Sequence, residues 1–274
     1  MAVIGGGVAG LTAAYDLART DAFDVHVYEA SGELGGLAAG FKGRAAWEWP
    51  LEKFYHHLFT NDDAIINLTK EIGAGHLLEI HRPTTVMHYQ GRNYPFDTPA
   101  RVLRFPHLSL VNKLRMGLII AWLRYYPWPP WRRYDKLLAD AWLERWMGPT
   151  SYRMLWQPML EGKFGPHYRE VNLAWFWARI YKRTPQLGYY RGGFQAFVDA
   201  LARAAEQSGA RIFTRTPVQR VTSQEGGGWT LHLADRTEFY DKVLCTVSPD
   251  LMARMAPELP ESYLAQLRSL KSMG

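Results

Sequence analysis

Only one cysteine, Cys245, occurs in the chain, which excludes an internal disulfide framework. It stands in the apolar run KVLCTV, the setting of a buried strand residue rather than of a nucleophile. Cys/His pairs at metal-ligand spacing are missing as well, so no metal site is expected. Long apolar runs are scarce: the longest, near Met116 to Leu123, falls well short of the roughly 20 residues that span a bilayer. The first apolar segment begins at residue 2 with no signal peptide before it, and the expected placement is cytoplasmic, free or at the inner membrane surface. The remainder is an ordinary folded composition, 47% hydrophobic and 21% charged, with 32 basic against 26 acidic residues. Its 274 residues suffice for one large or two ordinary domains.

The most informative stretch is AVIGGGVAGLTAAYDLARTDAFDVHVYEASGELGG, from Ala2 to Gly36. A short apolar strand, a glycine turn, an amphipathic helix through Leu11, Ala14 and Ala18, and a second strand DVHVYEA form a β-α-β unit. Within it Gly5, Gly7 and Gly10 spell G-x-G-x-x-G. In that pattern the first glycine makes the tight turn, the second lets the backbone approach a pyrophosphate, and the third lets helix and strand pack closely. The helix N-terminus, with its free N–H groups and positive dipole end, suits an anion. Glu29 ends the second strand about 20 residues past the turn, where a carboxylate accepts hydrogen bonds from ribose hydroxyls. An acid there prefers a free 2′-OH, which favours FAD or NAD over NADP. The tail Glu33-Leu34-Gly35-Gly36 tilts the reading to FAD, because paired glycines past the acid let the chain double back along a long dinucleotide.

The pattern GGGVAGLTAAYDLA, then VYEA, then LGG resembles the superfamily of FAD-dependent amine oxidases, protoporphyrinogen oxidases and phytoene desaturases. The resemblance implies an α/β fold: a Rossmann-type FAD-binding domain of the glutathione-reductase kind with an inserted α+β substrate domain. It implies that Gly5, Gly7, Val8, Ala9, Gly10, Glu29 and Ala30 hold the ADP half of FAD, with Gly35 and Gly36 further along the cofactor. The segment Trp49-Pro50-Leu51 corresponds to the family's return to the flavin ring, and Val218, in TPVQRV, to the residue whose backbone meets the adenine. Members usually carry arginines around the double glycine, where this chain has Glu33 and Leu37. Tyr55, His56 and His57 would lie near the substrate side. Histidine moves protons near neutral pH, yet flavin chemistry often needs no side-chain base, and the plainer reading is that one His caps or packs locally while the other faces solvent.

Further along, a helix is expected from Asn61 as N-cap, carrying Ile65, Ile66, Leu68 and Ile72. Alternation from Leu77 to Asp97, with Gln90-Gly91-Arg92-Asn93 between, predicts a hairpin. Residues 101–147 hold nine Lys/Arg against three Asp/Glu, equal to the whole chain's formal surplus of +6, together with Trp122, Trp128, Trp131, Trp142 and Trp146. Packed helices with solvated arginines account for this composition, and so does an amphipathic surface resting in a membrane interface. Nucleic acid fits less well, because the basic residues alternate with large aliphatic ones. Pro127, Pro129 and Pro130 should separate two helices. Helices are also expected from Asp140 to Trp156 with a break at Gly148-Pro149, and from Asn172.

Gly192-Gly193-Phe194 resembles the return to the FAD domain, with a helix to Ser208, a parallel strand from Ala210 to Thr214, a hairpin at Gly226-Gly227-Gly228, and a last sheet strand from Val243 to Val247. The division expected is 1–75 and 186–250 for the FAD-binding domain, 76–185 for the substrate domain, and 251–274 for the start of a return to the substrate region. Because members of the superfamily run on further, the chain is expected to be a fragment lacking part of the flavin wall. The function implied is two-electron oxidation or desaturation of a largely apolar small molecule with hydride transfer to FAD. Two alternatives stand beside it. One is a non-redox flavin isomerase resembling UDP-galactopyranose mutase, with Arg101, Arg104 and Arg124 on a substrate diphosphate. The other is a nucleotide-binding fragment without turnover.

Overall fold

A computed structural model describes residues 1–128 and 130–270. They divide into two compact units. The first comprises Met1–Leu58, Asp62–Ile80 and the chain from Gly188; the second comprises Phe59–Asn61 and His81–Leu187.

The first unit is built on strand β1 (Ala2–Ile4), helix α1 (Val8–Ala18) and strand β2 (His26–Tyr28). β1 lies between β2 and Val243–Cys245, and Arg211–Phe213 flanks β2, all four strands being parallel. Parallel strands covered on both faces carry unbroken apolar runs, and Ala2 and Val3 are fully buried. The period of two along a strand divides these residues between two cores. Val3 and Val27 face α1 and the helix Gly193–Gln207, packing with Leu11, Ala14, Val198 and Leu201. Ala2, Ile4 and Tyr28 face the other way, onto Val221, Leu231 and Tyr240. Those last three come from the antiparallel sheet Arg220–Ser223, Trp229–His232 and Thr237–Tyr240, whose first turn carries Gly226, Gly227 and Gly228.

Three expectations change here. Cys245 is half-buried rather than buried, since its strand is at the sheet edge; burial still pushes the thiol up. The first helix after the glycine-rich region is Asp63–Glu71, and Asp62, not Asn61, is its N-cap, with no capping bond from its side chain to the helix. Finally, the segment from Leu251 does not leave for the helical region. The helices Pro249–Met255 and Glu261–Ser269 belong to the first unit, where Met255 and Ala256 are buried with Val221 and Tyr240. Residues 271–274 of the expected last segment lie outside the described residues, as does Pro129.

The second unit opens with the hairpin Val86–Tyr89 and Arg92–Pro95. Its two-residue turn is Gln90-Gly91, both at positive φ (49° and 75°), the geometry that matches strand twist; Arg92 and Asn93 already pair in the ladder. Helices Leu110–Tyr125, Ala139–Met147 and Leu173–Lys182 surround a core of Met116, Leu123, Leu143, Met147, Leu173 and Phe176. Asn172 caps the last of these by accepting from the Trp175 N–H at 2.9 Å. The long helix stops at Tyr125, before Pro127, and the next one starts at Trp131, after Pro130. Gly148, at φ 88°, interrupts the next run, and beyond the short turn Pro149–Ser151 the residues Tyr152–Trp156 wind as a π-helix into the helix Gln157–Phe164. Among the described residues no helix is long and apolar enough to cross a membrane.

Candidate cofactor site

The carboxyl ends of β1 and β2 meet the start of α1, the place where open parallel sheets bind ligands. Gly5 donates its N–H to the Tyr28 carbonyl at 2.8 Å, and the turn runs through Gly6 and Gly7 into the helix. A side chain at position 10 is impossible without rearrangement: a Cβ there would sit 2.0 Å from the Gly5 carbonyl oxygen. Glu29 is committed to the same turn. One carboxylate oxygen accepts from the Gly6 N–H at 2.7 Å, the other from the Ser31 N–H at 2.8 Å.

The double glycine closes onto the turn from the other side. The Gly35 N–H donates to the Gly6 carbonyl at 2.8 Å, and Gly35, at φ 114°, takes a backbone shape other residues rarely adopt. Gly5, Gly7, Val8, Ala9, Gly10, Glu29, Ala30, Gly35 and Gly36 are therefore brought together by three backbone segments. Pro50 and Leu51 are near the same segment: the strand Leu51–Glu52 pairs with Gly40–Phe41, and Glu52 accepts from the Phe194 N–H at 2.9 Å. Trp49 and Leu51 are about half exposed. Val218 follows the strand Arg211–Phe213 in a loop and, like Phe213, is partly buried against the core of Tyr28, Val221 and Tyr240. At the two positions where relatives carry arginines, Glu33 pairs with Lys53 at 2.9 Å and Leu37 is exposed.

Three residues at this site carry no local sequence signal. Thr246, just past its strand, donates from its hydroxyl to the Ile4 carbonyl at 3.0 Å and fills the space beside Gly5 and Gly10. Gln195, on the helix Gly193–Gln207, accepts from the Gly40 N–H at 2.9 Å. Arg215 adopts a positive φ of 52°, its N–H bonds the Ser31 carbonyl at 2.8 Å, and its guanidinium lies over Gly32. The Gly32 position alone hints at the third, because only a small residue leaves room for that guanidinium.

The residues present fit a dinucleotide. The N-cap Gly7 makes no side-chain capping bond and the first turn of α1 holds no acid, so the positive helix end keeps its affinity for a phosphate. Each Glu29 oxygen has accepted one backbone bond and retains capacity for a ribose hydroxyl.

Of the proton-transfer candidates, His56 is engaged locally, its Nδ1 2.6 Å from the Phe54 carbonyl and its ring against Phe194. Tyr55 is exposed, packs its ring against His57 at 5.2 Å and meets the Tyr189 hydroxyl at 3.0 Å. Burial first, then the Tyr55 bond, pushes Tyr189 up to about 12.

Sheet, turn and acid define a dinucleotide-binding module of the Rossmann type. The chain belongs to the flavin-containing amine oxidoreductase family, whose model matches residues 8–274, and its cofactor is FAD. A carotenoid phi-ring synthase from Chlorobaculum tepidum is 31% identical over 146 residues, which is 50% of this chain and 22% of that protein. The crystal structure of an oxidoreductase from Methanosarcina mazei matches with a TM-score of 0.75 at 19% identity, covering 98% of this chain and 65% of that one. Reduced UDP-galactopyranose mutase matches with a TM-score of 0.72 at 16% identity, covering 98% and 60%. The chain thus spans under a quarter of the synthase and under two thirds of either solved chain. At these identities the structural matches show a shared fold.

Proposed function

We propose that this protein is an FAD-dependent oxidoreductase that removes two electrons from a largely apolar small molecule, oxidising or desaturating it. One observation carries the reading: in a chain of the flavin family, Glu29 clamps the Gly5–Gly10 turn while the start of α1 keeps no side-chain acceptor of its own. Bound FAD supplies the hydride acceptor. The first unit would hold it: Gly7, Val8, Ala9 and Gly10 would offer backbone to the pyrophosphate, Glu29 would accept from the ribose, and Val218 would serve the adenine. Pro50 and Leu51 would serve the flavin end. The second unit serves the substrate, and the match to a carotenoid ring synthase supports a hydrocarbon one.

The helix Leu110–Tyr125 supports a peripheral position at the inner membrane surface. It exposes Leu110, Leu114, Leu118 and Trp122, four residues apart on one stripe, and Trp128 and Trp131 are exposed just beyond it. Apolar and indole side chains beside a surplus of arginine suit a lipid interface.

The isomerase alternative has less to draw on. Arg101 is bound to both oxygens of Asp97, at 2.7 and 2.9 Å, and Arg124 donates to the Ile180 and Tyr181 carbonyls, so two of its three arginines are already engaged.

The first test is a visible spectrum of the purified chain after incubation with FAD and desalting. Retained flavin bands are expected. Their absence overturns the reading and returns the site to NAD or to a nucleotide bound without turnover. Flavin retention followed by reduction on adding polyenes or porphyrinogens, and not on adding nucleotide sugars, separates oxidation from isomerisation.

A further inference from the structure

We propose that a cavity within the second unit binds an amphipathic anion, an apolar chain with a carboxylate or phosphate head, and that Arg179 and Arg183 hold the head. The proposal deepens the substrate reading above and rests on it only in calling the ligand a substrate.

The cavity has a volume of about 470 Å³ and is walled by the hairpin, the π-helical segment and the helix Leu173–Lys182. Such a volume is in the range of small-molecule sites, about 300–1,000 Å³. Most of its wall is apolar, with Met87, Phe96, Trp156, Met159, Phe176 and Ile180 among the contributors. Arg82, Arg179, Arg183 and Asp97 also line it. The Asp97 carboxylate already has a counter-charge: the Arg101 bond holds it ionised, its pKa below the usual carboxylate range.

Arg179 is the unusual member. Among the described residues it has neither an ion pair nor a hydrogen bond; its recorded neighbour is the face of Trp175, 5.7 Å away. Burial first, and then the like charge of Arg183, pulls its pKa down. Among the described residues the Arg183 guanidinium donates to the Thr85 hydroxyl at 3.2 Å. Two cations four residues apart beside an apolar cavity repel each other unless an anion bridges them, and a guanidinium pair binds carboxylate or phosphate oxygens well.

Two further observations converge on the same wall. The indole N–H of Trp156 is buried without an acceptor among the described residues, an arrangement that a bound oxygen would relieve. Leu155 and Trp156 are presented by the π-helical Tyr152–Trp156, and single π-turns inside helices are frequent at functional sites.

The test is calorimetric titration of the full chain with four probes: dodecyl phosphate, dodecanoate, dodecanol and inorganic phosphate, each kept below micelle formation. The expected result is one-to-one binding of dodecyl phosphate or dodecanoate at least about tenfold tighter than dodecanol, inorganic phosphate being weaker still. The two head groups then distinguish a phosphate ligand from a carboxylate one. Arg179→Gln should bring the anionic probe down to the affinity of dodecanol, Arg179→Lys should retain part of the difference, and Arg132→Gln, outside the cavity, should change nothing. Equal affinity for dodecyl phosphate and dodecanol overturns the proposal, as does an unchanged affinity in Arg179→Gln. If that variant does not fold, the probe comparison on the unaltered chain decides. Flavin bands are read in the same samples. Their loss with the anionic probe still bound breaks the redox reading alone, and their retention without probe binding breaks this one alone.

Discussion

The two units differ in which of their side chains are left uncommitted. In the first, polar side chains close on backbone or on each other: Glu29 on Gly6 and Ser31, Gln195 on Gly40, Thr246 on Ile4, and Tyr28, Tyr240 and Glu238 in one cluster behind β2. In the second, rings and aliphatics form the core, a row of apolar side chains on Leu110–Tyr125 is exposed, and Arg179, beside the Trp175 ring, has neither an ion pair nor a hydrogen bond among the described residues. The first arrangement holds a backbone shape to which a cofactor can dock. The second leaves side chains free to meet something that is not part of the chain.

Substitutions test that contrast most severely in the cores. Phe176→Ala removes a fully buried ring of the second unit and should cost about 3–5 kcal/mol, read as a lowered urea midpoint. If the units are energetically separate, flavin retention by the native fraction stays unchanged. Gly10→Ala acts the other way round. Its Cβ would meet the Gly5 carbonyl, at a cost of about 1–3 kcal/mol, and flavin should no longer survive desalting. Retained flavin in Gly10→Ala would mean that the turn is not the docking point.

A milder change is Glu29→Ala, which leaves the Gly6 N–H unpaired and takes away the ribose acceptor. About 1–3 kcal/mol is expected, seen as roughly a tenfold or greater loss in FAD affinity with a smaller drop in unfolding midpoint.

Acid sharpens the comparison further. Burial alone would raise Glu238, but bonds from Tyr28, Tyr240 and Arg236 outweigh it and hold the carboxyl at about 2, against 4.5 for the ordinary group. A depressed carboxylate stabilises the fold above its unfolded pKa and loses that contribution as pH falls toward its folded one. Stability should therefore drop between pH 4.5 and about 2, and Glu238→Gln should flatten that slope in acid unfolding curves. Smallest in stability is Leu118→Glu on the exposed stripe, expected within about 0.5 kcal/mol of the unaltered chain, while sedimentation with anionic vesicles should fall clearly. Unchanged sedimentation would remove the lipid reading of that face.

Much of the site was legible because it is local. The Gly5–Gly10 turn, Glu29 and the double glycine lie within about one βα unit of each other, and each residue type follows from backbone geometry that a single segment imposes. The hairpin with its turn within Gln90-Gly91-Arg92-Asn93 and the helix start at Asn172 were readable for the same reason. Reading failed where the partner is distant in sequence. The Thr246 hydroxyl reaches Ile4, Gln195 reaches Gly40, and Arg215 lies over Gly32, none of which a periodic pattern announces. Position in the sheet, which no local pattern shows, left Cys245 half-buried on an edge strand.

The sequence by itself determined the β-α-β fingerprint, the acid that answers it, and the division into a glycine-rich part and an aromatic, basic one. Those are consequences of turn geometry, strand period and composition, which act over a few residues. Only the tertiary structure decided that the segment from Pro249 onward packs on the first unit and that Arg101 and Arg124 are hydrogen-bonded while Arg179, among the described residues, meets only the Trp175 ring. Burial and pairing depend on which distant segments share a core, and the free energy of a charge is set by those neighbours rather than by the residues beside it in the chain.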